Sequence, residues 1–145
     1  MKKIMILDDD KKFRSLMSRL LVSEGYVVVE CQNALEANSL IKGSKTELLL
    51  LDIKMPEVDG GIFYEILGMF HPELKVIVVS ALSREEQMRI IPGADGYHDK
   101  SLGAMKLLDT VREVIGYVKR QNGGTENDKE DNNPYADFVG SGTGG

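Results

Sequence analysis

Along the chain, short apolar runs alternate with longer stretches whose apolar residues recur every three or four positions. The short runs fall at Lys3–Leu7, Tyr26–Cys31, Leu48–Leu51 and Val76–Ser80, with a weaker one at Gly96–Asp99. Their length and their wealth of Val, Ile and Leu are those of strands. The central runs lack in/out alternation, as expected where helices cover both faces of a parallel sheet. Between them, Phe13, Leu16, Met17, Leu20 and Leu21 repeat at helical spacing, and Gly25 ends that helix. Asn33 with Glu36, and Ser83 with Glu86, have the spacing of capping boxes. Asp59 can cap a third helix over Gly60–Phe70. Pro92 stops a short fourth helix over Ser83–Ile91. A last helix is predicted over Leu102–Arg120, with Leu108, Val111, Ile115 and Val118 on one face. Five strands and five helices in strict alternation predict an α/β fold, a doubly wound parallel sheet with right-handed crossovers.

Composition adds limits to this picture. The 145 residues are one domain by length. Cys31 is the single cysteine, so no internal disulfide forms, which fits a reducing compartment. The opening MKKIMIL imitates a signal peptide, but Ile4–Leu7 is far too short for an export core before Asp8, Asp9 and Asp10. No stretch approaches the ~20 apolar residues of a membrane span. A cytoplasmic protein with no membrane partner is expected.

The net charge of −5 comes from 18 basic and 23 acidic residues. Residues 121–145 hold one and five of these, which leaves 17 and 18 in residues 1–120. The body therefore shows no basic stripe, and no direct nucleic-acid binding is expected of it. The polar, Gly/Asn-rich segment reads as a flexible acidic tail or linker over 121–145, after a folded domain over 1–120. Within it, GSGTGG at 140–145 formally matches G-x-G-x-x-G but follows no strand. NPYADFV at 133–139 could serve as a docking peptide, although composition favours linker.

Doubly wound sheets bind ligands at the carboxyl ends of their strands. Asp8 and Asp9 follow the first strand, Asp52 the third, Ser80 ends the fourth and Lys100 follows the fifth. Three carboxylates in one crevice repel one another, and a hard divalent cation is the usual reason to tolerate them. Mg2+ prefers one or two carboxylates plus a phosphate, and a lysine and a hydroxyl nearby are what a phosphoryl group also needs. Asp10 is expected to cap the first helix.

MILDDDKKFR, LLLLDIKMPEVDG, VIVVSA and GADGYHDK, in that order and each at its own strand, resemble the receiver domain of two-component response regulators, CheY-like, over residues 1 to about 120. The resemblance implies the flavodoxin-like strand order 2-1-3-4-5. It implies that Asp52 accepts a phosphoryl group from a sensor histidine kinase or phosphotransfer protein. Mg2+ would be held by Asp9, Asp52 and the backbone carbonyl of Lys54, with Asp8 acting through water. Ser80 would donate to the phosphoryl oxygen and Lys100 would pair with its charge. Ala81 would leave room for the phosphodonor, and Tyr97 would be the aromatic switch that follows Ser80. A downstream effector is implied, and homodimerisation on phosphorylation is one known output. Transfer and later hydrolysis would be self-catalysed, so the domain is a signalling phospho-acceptor rather than an enzyme.

Departures from that pattern raise rivals. Ser101 stands where the family has a proline after a cis peptide, so a trans Lys100–Ser101 bond is predicted, since a cis bond there costs ~2.5–4 kcal/mol. The short fourth helix suggests an atypical output surface, and Lys54 and Leu82 sit where members differ in phosphoryl lifetime. A pseudo-receiver, keeping the fold without phosphotransfer, is the main alternative. DDD also contains the D-x-D of haloacid dehalogenase-type phosphatases, which would make Asp8 the nucleophile, but Lys11 and an idle Asp52 speak against it. His98 reads as a satisfied strand histidine before a pH sensor. Cys31 reads as a small buried strand residue.

Overall fold

The structure, a computed structural model, describes residues 2–118. The expected tail over 121–145, including the segment 133–139, lies outside the described residues. The elements follow one another as β1 (Lys3–Leu7), α1 (Lys11–Ser23), β2 (Val27–Cys31), α2 (Ala34–Ile41), β3 (Leu48–Asp52), α3 (Gly60–Phe70), β4 (Lys75–Ser80), α4 (Arg84–Ile90), β5 (Gly96–Asp99) and α5 (Ala104–Ile115). A single 3-10 turn, Lys100–Leu102, joins β5 to α5. All five strands are parallel, in the order β2-β1-β3-β4-β5. This is the doubly wound sheet that the alternation predicted.

Two cores explain why the central strands do not alternate. Met5, Leu7, Leu49, Leu51, Val76 and Val78 face one side, against Ala37 and Ile41 of α2 and Phe63 and Leu67 of α3. Ile4, Ile6, Leu48, Leu50, Ile77 and Val79 face the other, against Met17 and Leu21 of α1 and Leu107, Leu108 and Val111 of α5. Successive side chains still point to opposite faces, but both faces are dry. At the sheet edge, β2 keeps Val27 and Glu30 exposed.

Most helix starts follow their predicted caps. Asp10 accepts the N–H groups of Lys12 and Phe13, Asp59 those of Gly61 and Ile62, and Ser83 with Glu86 forms a complete capping box. Asn33 accepts the N–H of Glu36, but Glu36 reaches back to Gln32 rather than to Asn33, so that box is shifted by one residue. The last helix departs further from expectation. It begins at Ala104, after Gly103, and ends at Ile115 instead of continuing to Arg120. Gly116 sits at φ 81°, a left-handed position that ends helices and that glycine occupies without steric cost. Val118 still packs with this core, from the extended chain beyond the helix.

Candidate functional site

Four of the five parallel strands bring polar residues to the carboxyl edge of the sheet. Asp8, directly after β1, is 1% exposed; its Oδ1 accepts the N–H of Asp10 at 2.9 Å. Asp9, its neighbour, is exposed. Asp52 is the last residue of β3, 5% exposed, and its Oδ1 accepts the N–H of Lys54 at 3.1 Å. One carboxylate oxygen from each of Asp8, Asp9 and Asp52 lies within 4.8 Å of the other two. Ser80 closes β4, 1% exposed, with Oγ accepting the N–H of Leu82 at 3.1 Å.

Lys100 reaches into this cluster from just past β5. Its Nζ lies 2.7 Å from Asp8 Oδ2 and 4.4 Å above the centre of the Phe13 ring. The backbone that delivers it is braced by Asp99, whose Oδ1 accepts both the N–H of Ser101 at 2.9 Å and its hydroxyl at 2.7 Å. These two hydrogen bonds hold the Asp99 carboxyl below its ordinary range. The Lys100–Ser101 bond is trans, as predicted, and no cis peptide occurs among the described residues. A serine with an aspartate brace thus places the lysine in the crevice.

The crevice is hard on negative charge. The Asp52 carboxyl is pushed up to about 7, chiefly by burial and then by the Asp8 carboxylate beside it. The Lys100 ammonium and the Lys54 N–H pull in the other direction without cancelling this. Hard oxygen donors gathered around a carboxyl that resists ionisation are the kind of donor set that suits a divalent cation. Asp10 is engaged in the α1 cap and turns its Oδ1 to Lys12 and Phe13 at 3.0 and 3.2 Å.

Lys54 is exposed, and pairs with Asp59 in an isolated antiparallel bridge that shapes the loop after β3. Tyr97, on β5, donates its hydroxyl proton to Ile91 O at 2.5 Å and accepts the N–H of Ala94 at 3.1 Å. His98 is 2% exposed, and burial holds its imidazole below the usual value. Cys31 is buried, which pushes its thiol up to about 11.

Two neighbours escaped the sequence reading. Arg14 is buried at the base of the site, donates to the carbonyl of Asp8, and lies 3.5 Å from Glu30. Phe13 supplies the ring beneath Lys100. Arg14 could have been found: it shares the buried face of α1 with Met17 and Leu21, three and seven residues on, where a charge needs a reason. Phe13 was read only as part of the apolar repeat, and nothing in its spacing announces a cation.

Among the described residues, no helix is long and apolar enough to cross a membrane. The model of the response regulator receiver domain family matches residues 4–112. Chemotaxis protein CheY of Halobacterium salinarum is 28% identical over 116 residues, covering 79% of this chain and 97% of that protein. The response regulator TrrA of Thermotoga maritima, solved in complex with Mg2+-BeF, superposes with a TM-score of 0.72 at 28% identity, covering 79% of this chain and all of that one. A CheY-like receiver domain protein of Methanospirillum hungatei gives a TM-score of 0.72 at 30% identity, over 78% and 92% of the two chains. With the strand order, the acidic cluster and the family match in agreement, the chain belongs to the response regulator receiver domains of two-component signalling and is CheY-like.

Proposed function

We propose that this chain is a phosphorylation-controlled switch in which Asp52 takes a phosphoryl group from a sensor histidine kinase or phosphotransfer protein. One observation carries the reading: the buried Asp52 carboxylate ends the central strand within 4.8 Å of Asp8 and Asp9, in a crevice that also admits the Lys100 ammonium. Asp9, Asp52 and the Lys54 carbonyl would hold Mg2+, with Asp8 acting through water. When bound, the ion supplies positive charge to the oxygens of the transferring group.

Each side chain then has a distinct task. Asp52 offers the attacking oxygen once its proton is gone. Lys100 exchanges its pairing with Asp8 for the new negative charge, and the Phe13 ring beneath keeps the ammonium in the crevice throughout. Ser80 turns its hydroxyl proton to a phosphoryl oxygen. A transition state of metaphosphate character spreads charge over three oxygens, and fixed donors around it lower its energy. The doubled charge on Asp52 favours loop arrangements that the free carboxyl does not, which shifts the population of conformers seen by a downstream effector.

Incubation with an amido or acyl phosphate and Mg2+ tests this directly. The parent chain should become a phosphoprotein and Asp52→Ala should not. Label that survives in Asp52→Ala rejects the assignment, and loss of label only in Asp8→Ala would point to the phosphatase-type nucleophile. A parent that never takes label would be a pseudo-receiver, the alternative that Ser101 first raised.

A further inference from the structure

Helix α4 is fastened to the sheet in an unusual way. Its single buried residue is polar: Gln87 is 0% exposed. The side-chain Nε2 donates to Leu82 O at 2.9 Å and to His98 O at 2.8 Å, and lies 3.4 Å from Ser80 O. Three carbonyl oxygens around one end of the amide fix its orientation, because a flipped amide would set oxygen against oxygen. Its Oε1 is buried and has no hydrogen-bond partner.

The partners of Gln87 matter more than their number. Directly before β5 the N–H of Asp95 bonds Val76 O, so alternate residues turn their backbone toward β4 and the carbonyl of His98 faces the free edge of the sheet. Gln87 caps that edge. Leu82, its second acceptor, is also held by its N–H, which donates to Ser80 Oγ at 3.1 Å. Ser80 Oγ, the Leu82 peptide groups, Gln87 and β5 are therefore joined by consecutive hydrogen bonds. The other end of α4 is tied by the same kind of bond, from the Tyr97 hydroxyl to Ile91 O at 2.5 Å.

We propose that Gln87 is the positioning residue that couples the state of Ser80 to helix α4 and, through Ile91, to Tyr97. This rests on the reading of Ser80 as the residue that turns to the phosphoryl group. When its hydroxyl moves toward Asp52, the turn at 81–83 follows, and Leu82 O leaves Nε2. Gln87 then keeps its bond to His98 O of β5 and its longer contact with Ser80 O, and its unpartnered Oε1 offers nothing that resists the change. Helix α4 shifts, Ile91 O withdraws, and the Tyr97 hydroxyl is released. A leucine in place of Gln87 would anchor the helix without sensing the turn, since apolar packing does not depend on where one carbonyl points.

The full chain labelled with 3-fluorotyrosine, titrated with beryllium fluoride and Mg2+, tests the coupling, with Tyr97→Phe assigning the resonance. In the parent, the bound fluoride signal should appear together with a displaced Tyr97 signal. In Gln87→Met, bound fluoride should reach the same intensity while Tyr97 stays at its free position. A full Tyr97 displacement in Gln87→Met at equal occupancy overturns the coupling, as does an unmoved Tyr97 in the fully occupied parent. No bound fluoride in the parent overturns the reading of the site itself, and the coupling with it. Should Gln87→Met fail to fold, amide exchange in the parent decides. The N–H groups of Gln87 and Ile91, bonded to Ser83 O and Gln87 O, should exchange about tenfold faster once the site is occupied, and unchanged exchange there overturns the proposal.

Discussion

At Asp52, burial and a neighbouring carboxylate both oppose ionisation, and this has a consequence for stability. Its carboxyl moves from 3.8 to about 7 on folding, so the folded state binds a proton that the unfolded state releases. The stabilisation is therefore complete below about pH 4 and lost as pH rises through 7. In EDTA, the stability difference between the parent and Asp52→Asn should fall by about 1.4 kcal/mol per pH unit through this window and flatten above it. Urea melts at pH 5, 6, 7 and 8 would show it; a flat difference would mean that the proton is not held there. Lys100 poses the complementary case, a cation held by one carboxylate and one ring.

Among the elements, α3 shows how much depends on a single missing methyl. A Cβ on Gly60 would lie 2.8 Å from Ile53 O and 2.9 Å from Ile53 Cα, both backbone atoms that cannot turn aside. The helix can start this close to the loop after β3 only with glycine there. Gly68, in the same helix, is exposed and would place its Cβ in open space. Opposite outcomes are expected: Gly60→Ala loses about 1–3 kcal/mol through enforced backbone shifts, while Gly68→Ala gains about 0.5–1 kcal/mol from lower chain entropy. Chemical denaturation of both variants checks the pair, and similar effects would contradict the contact at Gly60. The short α4 belongs to the same scale. Its capping box was legible in Ser83 and Glu86, but no pattern in seven residues showed that a glutamine would be its buried anchor.

For the molecule as a whole, the end of α5 is locked to the end of α1, opposite the carboxyl edge where the site lies. Arg112 pairs with Glu24, the α1 cap residue, with both side chains under one-tenth exposed, and stacks 4.7 Å from the Tyr117 ring. The Tyr26 hydroxyl donates to Gly116 O at 2.7 Å and the Lys2 ammonium to Ile115 O. Burial raises the Tyr26 phenol to about 12, so it remains a donor across the whole working range. Glu24→Leu removes the buried carboxylate from Arg112, leaves it the exposed Asp109 carboxylate at 3.8 Å, and should cost about 1–3 kcal/mol, most of it recovered in the double variant Glu24→Leu, Arg112→Met. Denaturant unfolding of the three proteins measures this, and a single-variant loss below about 1 kcal/mol would deny the pair its structural role.

Residue order alone determined which elements form, their alternation and the residue at each strand tip, though not the bounds of the last helix, because strand and helix periods and cap chemistry are local properties of the chain. Asp8, Asp9, Asp52, Ser80 and Lys100 could be named in advance, since any residue that follows a buried parallel strand lies at its carboxyl edge. Tertiary structure decided the rest. Which oxygen Lys100 meets and that Phe13 lies beneath it depend on elements far apart in sequence coming together, while Arg14 reaches the Asp8 carbonyl and Gln87 caps the open edge because of how α1 and α4 pack on the sheet. No local pattern encodes such meetings, because they follow from packing two layers of helices onto one sheet.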